Sequence, residues 1–135
     1  MRCGCRDRVD SNVWIFLNIE SAPEHAAAVA KIEQHRGDGL QINAIIVSEV
    51  FHKLQTLAGT AAASIRVNKM LESDFVVYEP LSRHAIDRAL VIAAQAHIRI
   101  NDAMIAAHAV ECRQSVLTDD VSDFRRIKGL NVLGL

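Results

Sequence analysis

Ile100-Asn101-Asp102-Ala103-Met104-Ile105-Ala106-Ala107-His108-Ala109-Val110-Glu111 is the stretch around which the chain is organised. Seven of the eight residues from position 103 to 110 are apolar. A helix that is apolar on every side belongs in a core rather than on a surface. Yet an acid, Asp102, stands in its first turn. A carboxylate there gains from the helix dipole and can cap the free N–H groups. Capping is one reading of Asp102. Convergence with acids from elsewhere in the chain is the other.

Outward from this helix the pattern alternates. Downstream, residues 115–118 read as a buried strand. Positions 119–123 read as a loop with a short helix after it, Gly129 ends that segment, and 130–133 form a last strand. Upstream, Ser82 caps a helix reaching about His97, and residues 75–78 are a strand by their β-branched and aromatic content. Helices over 61–71 and 44–57 are separated by Gly59-Thr60, and Asn43 caps the earlier one. Residues 40–42 alternate like a short strand. Ser21-Ala22-Pro23-Glu24 reads as a helix opening, with Ser as cap, Pro in the first turn and Glu at the third helical position. That helix should run to about Arg36 and end at Gly37-Asp38-Gly39. Asp10 and Asn12 flank a turn or helix start before the apolar run 13–17.

Strands separated by helices imply an α/β fold, with a mainly parallel sheet and helices on both faces. Sites in such sheets lie at the carboxyl ends of the strands. Asp10 follows the first candidate strand. Glu49 lies in the second turn of the helix leaving strand 40–42. Asp102 opens the helix before strand 115–118, and Asp119, Asp120 and Asp123 follow that strand. Four separate segments could thus deliver acids to one edge, or else carry ordinary surface and turn acids. Glu49 is the hardest to read as a surface charge, because its neighbours Val47, Val50 and Phe51 look buried.

Composition narrows the partners. A chain of 135 residues is one domain with room for a core. A net charge of −1 argues against a general nucleic-acid coat, but leaves room for a local basic groove. Arg99, Arg125 and Arg126 are candidates for holding a phosphate backbone, or else solubilising surface charges. Aromatic residues are only 4% of the chain, which argues against stacked single-strand recognition. Cys3, Cys5 and Cys112 are too few for a disulfide framework and suit a reducing cytoplasm. Cys3-Gly4-Cys5 has no second pair, so structural zinc is not expected. No run is long and apolar enough to span a membrane. Arg2, Arg6, Asp7 and Arg8 stand where a signal peptide needs apolar residues.

Converging carboxylates stay ionised only if a cation neutralises them. Oxygen-only ligands suit Mg²⁺ or Mn²⁺. Such ions lower the pKa of a bound water and stabilise charge on a phosphate oxygen, with no side-chain nucleophile required. Other chemistries lack their residues. There is no Gly-x-Ser-x-Gly elbow, phosphate loop or dinucleotide fingerprint. His52, His97 and His108 show no metal spacing and read as structural or partly exposed.

The chain resembles a PIN domain, most of all the VapC-type toxin ribonucleases. Val9-Asp10-Ser11-Asn12-Val13 is similar to the family's Asp-Thr/Ser-Asn opening. Ile42-Asn43-Ala44-Ile45-Ile46-Val47-Ser48-Glu49-Val50 resembles its strand, turn and glutamate-bearing helix. Asn101-Asp102-Ala103-Met104-Ile105-Ala106-Ala107-His108-Ala109 and Leu117-Thr118-Asp119-Asp120-Val121-Ser122-Asp123-Phe124 resemble its aspartate helix and its Thr-x-Asp/Asn-x-x-Asp-Phe loop. Gly129-Leu130-Asn131-Val132-Leu133 also fits. The resemblance implies a three-layer α/β/α nuclease domain over 9–135, preceded by a polar segment 1–8. It implies metal-dependent endoribonuclease activity, RNA as substrate, a cognate antitoxin and a homodimer. By the same resemblance Asp10, Glu49 and Asp102 are metal ligands, Asp120 and Asp123 share the remaining place, and Ser11, Asn12 and Thr118 support them. Alternatives are a non-catalytic PIN-like binding module, a PIN nuclease of RNA processing, and an aspartyl-phosphate enzyme using Asp10. Asn12, where the last would need an acid, counts against it. One feature departs from the family. Cys5-Arg6-Asp7-Arg8 stands where an apolar first strand is usual, and a polar central strand is costly to bury. Either that strand is short or this N-terminus is atypical.

Overall fold

The computed structural model describes residues 6–135. Cys3-Gly4-Cys5 lies outside them. The elements alternate as β1 (Asp7–Val9), α1 (Ser11–Leu17), α2 (His25–His35), a 3₁₀ turn (Arg36–Asp38), β2 (Leu40–Ile42) and α3 (Ala44–Ala58). They continue as α4 (Thr60–Glu72), β3 (Val76–Tyr78), α5 (Arg83–Ala96), α6 (Ile100–Glu111), β4 (Val116–Leu117), α7 (Val121–Phe124) and β5 (Val132–Leu133). The five strands form one sheet in the order β3-β2-β1-β4-β5. Every neighbouring pair is parallel. Helices flank the sheet in a three-layer α/β/α arrangement, with α5 packed on α6, α3 on α4, and α1 against both α2 and α3.

Local chemistry accounts for most element ends. Asn43 Oδ1 accepts the Ile46 N–H at 3.1 Å and starts α3. Ser82 Oγ does the same for α5 through the Ala85 N–H at 3.0 Å. Gly39, at φ +96°, turns the chain into β2, and a Cβ there would lie 3.0 Å from a Val77 methyl. The opening of α2 differs from its sequence pattern. Residues 21–24 form turns and the helix begins at His25. Glu24 takes the cap position without a side-chain hydrogen bond.

The polar first strand is short, and it is buried. β1 spans three residues at the centre of the sheet, and Arg8 is 0% exposed. Its Nη2 lies 2.8 Å from Glu79 Oε1, 2.8 Å from Gln114 Oε1 and 3.0 Å from Gln41 Oε1. His108 Nε2 and the Cys112 thiol also reach Glu79 Oε1, each at 3.1 Å. Asn43 fixes the histidine tautomer. Its Oδ1 is committed to the Ile46 N–H, so its Nδ2 donates to His108 Nδ1 at 3.1 Å. The proton of the neutral ring must then sit on Nε2 and point at Glu79. Glu79, His108 and Cys112 have ligand atoms close enough for a metal. However, a metal on Nε2 would need the opposite tautomer, and the Arg8 guanidinium repels a cation. The cluster is an internal ion-pair network joining β1, β2 and α6.

Asn43→Ala removes both the α3 cap and the partner of a buried ring nitrogen. A lost cap and an unsatisfied buried group together cost about 2–3 kcal/mol. Urea denaturation of the variant is expected to show a lower midpoint with an unchanged slope.

Candidate metal centre

The carboxyl edge of the sheet gathers the acids. Asp10 directly follows β1 and caps α1, with its carboxylate accepting the Ser11 N–H at 2.8 Å. Its other oxygen accepts the Thr118 hydroxyl at 2.8 Å, and the residue is 3% exposed. Thr118 follows β4 and also takes hydrogen bonds from Asn12 Nδ2 at 3.3 Å and the Asp120 N–H at 2.9 Å. Asn12 Oδ1 accepts the Asp119 N–H at 3.2 Å, which ties the loop after β4 to α1.

Glu49 points from the second turn of α3 and accepts the Ser11 hydroxyl at 2.9 Å. Its second oxygen lies 3.3 Å from Asn101 Nδ2, a contact for which the sequence carries no local signal. Asp102, 4% exposed, sits in the first turn of α6 but does not cap it. Its carboxylate meets the side chain of Arg99, at 3.1 Å from Nη2 and 3.3 Å from Nε. The capping reading of Asp102 is thus replaced by an ion pair. Asp123 lies on α7 and pairs with Arg126 at 3.3 Å.

Two triads result, Asp10–Glu49–Asp102 and Asp102–Asp120–Asp123. In each, carboxylate oxygens from all three residues lie within 4.8 Å of one another. Asp102 belongs to both. Asp119 belongs to neither.

Burial pushes the Asp10 carboxyl up to about 7, against hydrogen bonds from Thr118 and Ser11 that pull it down; Asp102 and Glu49 add repulsion. Burial also raises Asp102, although Arg99 opposes it. Burial and then Asp123 raise Asp120. In all three, lost hydration is the leading cause, and repulsion from neighbouring carboxylates adds to it.

The family model for the PIN domain matches residues 9–130. The chain belongs to the PIN-domain family. Comparison with curated proteins yields no match. Among solved structures, this PIN domain is similar to VapBC2 from Rickettsia felis bound to a promoter DNA fragment, at 13% identity and TM-score 0.76, covering 96% of this chain and 98% of that one. DNA-bound VapBC from Salmonella typhimurium is 20% identical with TM-score 0.76, covering 96% and 97%. Mycobacterium tuberculosis VapC20, described as a sarcin-ricin-loop-cleaving toxin, is 15% identical with TM-score 0.71, covering 81% and 85%. At these identities the likeness is one of fold.

The donor set of this PIN domain fits a hard divalent cation. All its ligand atoms are carboxylate oxygens, and the acid most deeply buried is held partly protonated. A cation bound there would restore ionised Asp10.

The same shift gives a pH signature in the metal-free protein. Between about 4 and 7 the folded state keeps a proton on Asp10 that the unfolded chain has released, so this contribution to stability is lost as pH rises. His108 runs the other way. Burial and then Arg8 lower it from 6.5 to about 4, so its contribution grows over that window. The two slopes oppose each other in the wild type. Asp10→Asn removes one of them and is expected to show a steeper rise in stability with pH up to about 6.5. Urea unfolding of both proteins across that range checks it, and parallel curves would show that Asp10 does not titrate there.

Proposed function

We propose that this PIN domain is a divalent-metal-dependent endoribonuclease and the toxin of a toxin–antitoxin pair. The observation that carries this reading is the meeting of Asp10, Glu49 and Asp102, from three separate elements, at the carboxyl edge of a parallel sheet. The pair with an antitoxin is supported by the fold shared with the VapBC proteins. On this reading residues 9–135 are one nuclease unit that works in the cytoplasm and pairs as a homodimer. Among the described residues no helix is long and apolar enough to cross a membrane.

Asp10, Glu49 and Asp102 would hold Mg²⁺ or Mn²⁺, with Asp120 and Asp123 at the second triad. Bound there, the ion supplies an activated water and charge stabilisation on the phosphate. The chain's own residues set the geometry. Thr118 and the Ser11 N–H each hold one oxygen of Asp10, so the carboxylate cannot rotate freely. The Ser11 hydroxyl fixes Glu49 in turn. Asn12 and Thr118 secure the loop that carries Asp120.

The test is cleavage of a structured RNA by the purified protein with Mn²⁺ and with a chelator. Internal cleavage only with the metal is expected. Metal-independent cleavage would overturn the mechanism. Absence of both cleavage and any Mn²⁺-induced rise in melting temperature would favour a non-catalytic binding module, since a ligand of the native state must raise it.

A further inference from the structure

The candidate metal centre already contains a cation of the chain's own. Arg99 occupies the residue before α6 in extended backbone, φ −61° and ψ 147°. Its Nη2 lies 3.1 Å from Asp102 Oδ1 and 3.4 Å from Glu49 Oε2, and its Nε lies 3.3 Å from Asp102 Oδ2. One guanidinium thus bridges carboxylates of α3 and α6, two of the three in the first triad. These are its only ion pairs among the described residues. The side chain is 70% exposed, whereas Glu49 and Asp102 are 16% and 6%. A cation serving only solubility would extend into water. This one folds back over the two acids.

We infer that Arg99 is an internal counterion for the metal centre, bridging Glu49 and Asp102 in the metal-free protein and displaced from both when a divalent ion binds, so that it is left at the rim to meet an RNA phosphate. The inference rests on the nuclease reading above. Three physical points carry it. The oxygens facing Arg99 belong to the carboxylates a metal would take, and a dication held by those carboxylates would repel a guanidinium beside them. The release is cheap on the arginine side, because a guanidinium 70% exposed regains its water, and surface ion pairs are worth about 0.2–1 kcal/mol each. Once released, a planar guanidinium beside the centre matches a phosphate with two parallel hydrogen bonds. The other cation pairing with these acids among the described residues, Arg126, is engaged with Asp123 at the far triad.

The experiment is Mn²⁺ titration by calorimetry of the RNA-free protein, comparing wild type, Arg99→Gln and Arg99→Lys. Loss of two ion pairs at that strength predicts Mn²⁺ affinity about two- to thirtyfold tighter in Arg99→Gln. Arg99→Lys, which keeps the charge, should stay near wild type. At saturating Mn²⁺, Arg99→Gln should raise KM for RNA more than it lowers kcat. Equal or weaker Mn²⁺ binding by Arg99→Gln would overturn the counterion role, and an unchanged KM would overturn the phosphate contact. A wild type that binds no Mn²⁺ would instead overturn the nuclease reading, and the inference with it.

Discussion

Asp102→Asn is expected to lower metal-dependent RNA cleavage about a hundredfold while leaving the fold intact. Asp102 is the residue common to both carboxylate triads. Replacing one of its oxygens by an amide removes a negative charge and a ligand atom from both. Metal-assisted phosphodiester chemistry draws several kcal/mol from the ion, and a loss of about 3 kcal/mol lowers the rate about a hundredfold. The fold should not suffer, because the hydrogen bonds to the carboxylate come from an exposed arginine. Burial also raises this carboxyl, so a neutral isostere removes a desolvation cost. The metal-free melting temperature should therefore hold or rise slightly. Cleavage kinetics and thermal unfolding on the same preparations check both halves. Wild-type activity in Asp102→Asn would remove this residue from the metal centre.

Glu79→Ala should be strongly destabilising. Arg8 is fully buried at the centre of the sheet, and Glu79 Oε1 at 2.8 Å is its one carboxylate partner among the described residues. Burial lowers the pKa of Arg8 and raises that of Glu79. For Glu79, hydrogen bonds from Cys112 and Arg8 together with the charge of Arg8 outweigh burial and hold the carboxylate ionised. Without Glu79 the guanidinium is buried and uncompensated, and breaking such a pair costs about 3–5 kcal/mol. That is a large part of a typical domain stability of about 5–15 kcal/mol. Replacing both partners by apolar residues of similar volume, Arg8→Met with Glu79→Leu, should recover much of the loss. Urea unfolding of the single and double variants reads the difference. A loss below about 1 kcal/mol for Glu79→Ala would mean that water already compensates Arg8.

Both expectations depend on contacts between residues far apart in the chain, and these divide what could be read early from what could not. Caps at Asn43 and Ser82 were legible because a capping side chain acts on a backbone N–H two or three residues away. The turn residues at 21–24 carried the same signal and misled, because Glu24 caps α2 only by position. Asp102 was ambiguous for the same reason. An acid in the first turn reads alike whether it caps or faces a neighbour, and only packing of α6 beside α3 and the loop after β4 turns it towards Glu49, Asp120 and Asp123.

The sequence by itself determined the alternation of strands and helices, the parallel sheet that alternation implies, and the placing of Asp10, Glu49, Asp102, Asp120 and Asp123 on segments able to reach one edge. Those follow from hydrophobic period, cap chemistry and the rule that such sheets carry sites at their carboxyl ends. Tertiary structure alone decided that a polar β1 can lie at the sheet centre. Glu79, His108, Gln41 and Gln114 reach Arg8 or its carboxylate partner from as far as 106 positions away, and no local pattern encodes them. It also decided that Arg99 folds onto Glu49, 50 positions upstream, because that pairing exists only once α3 and α6 are brought side by side.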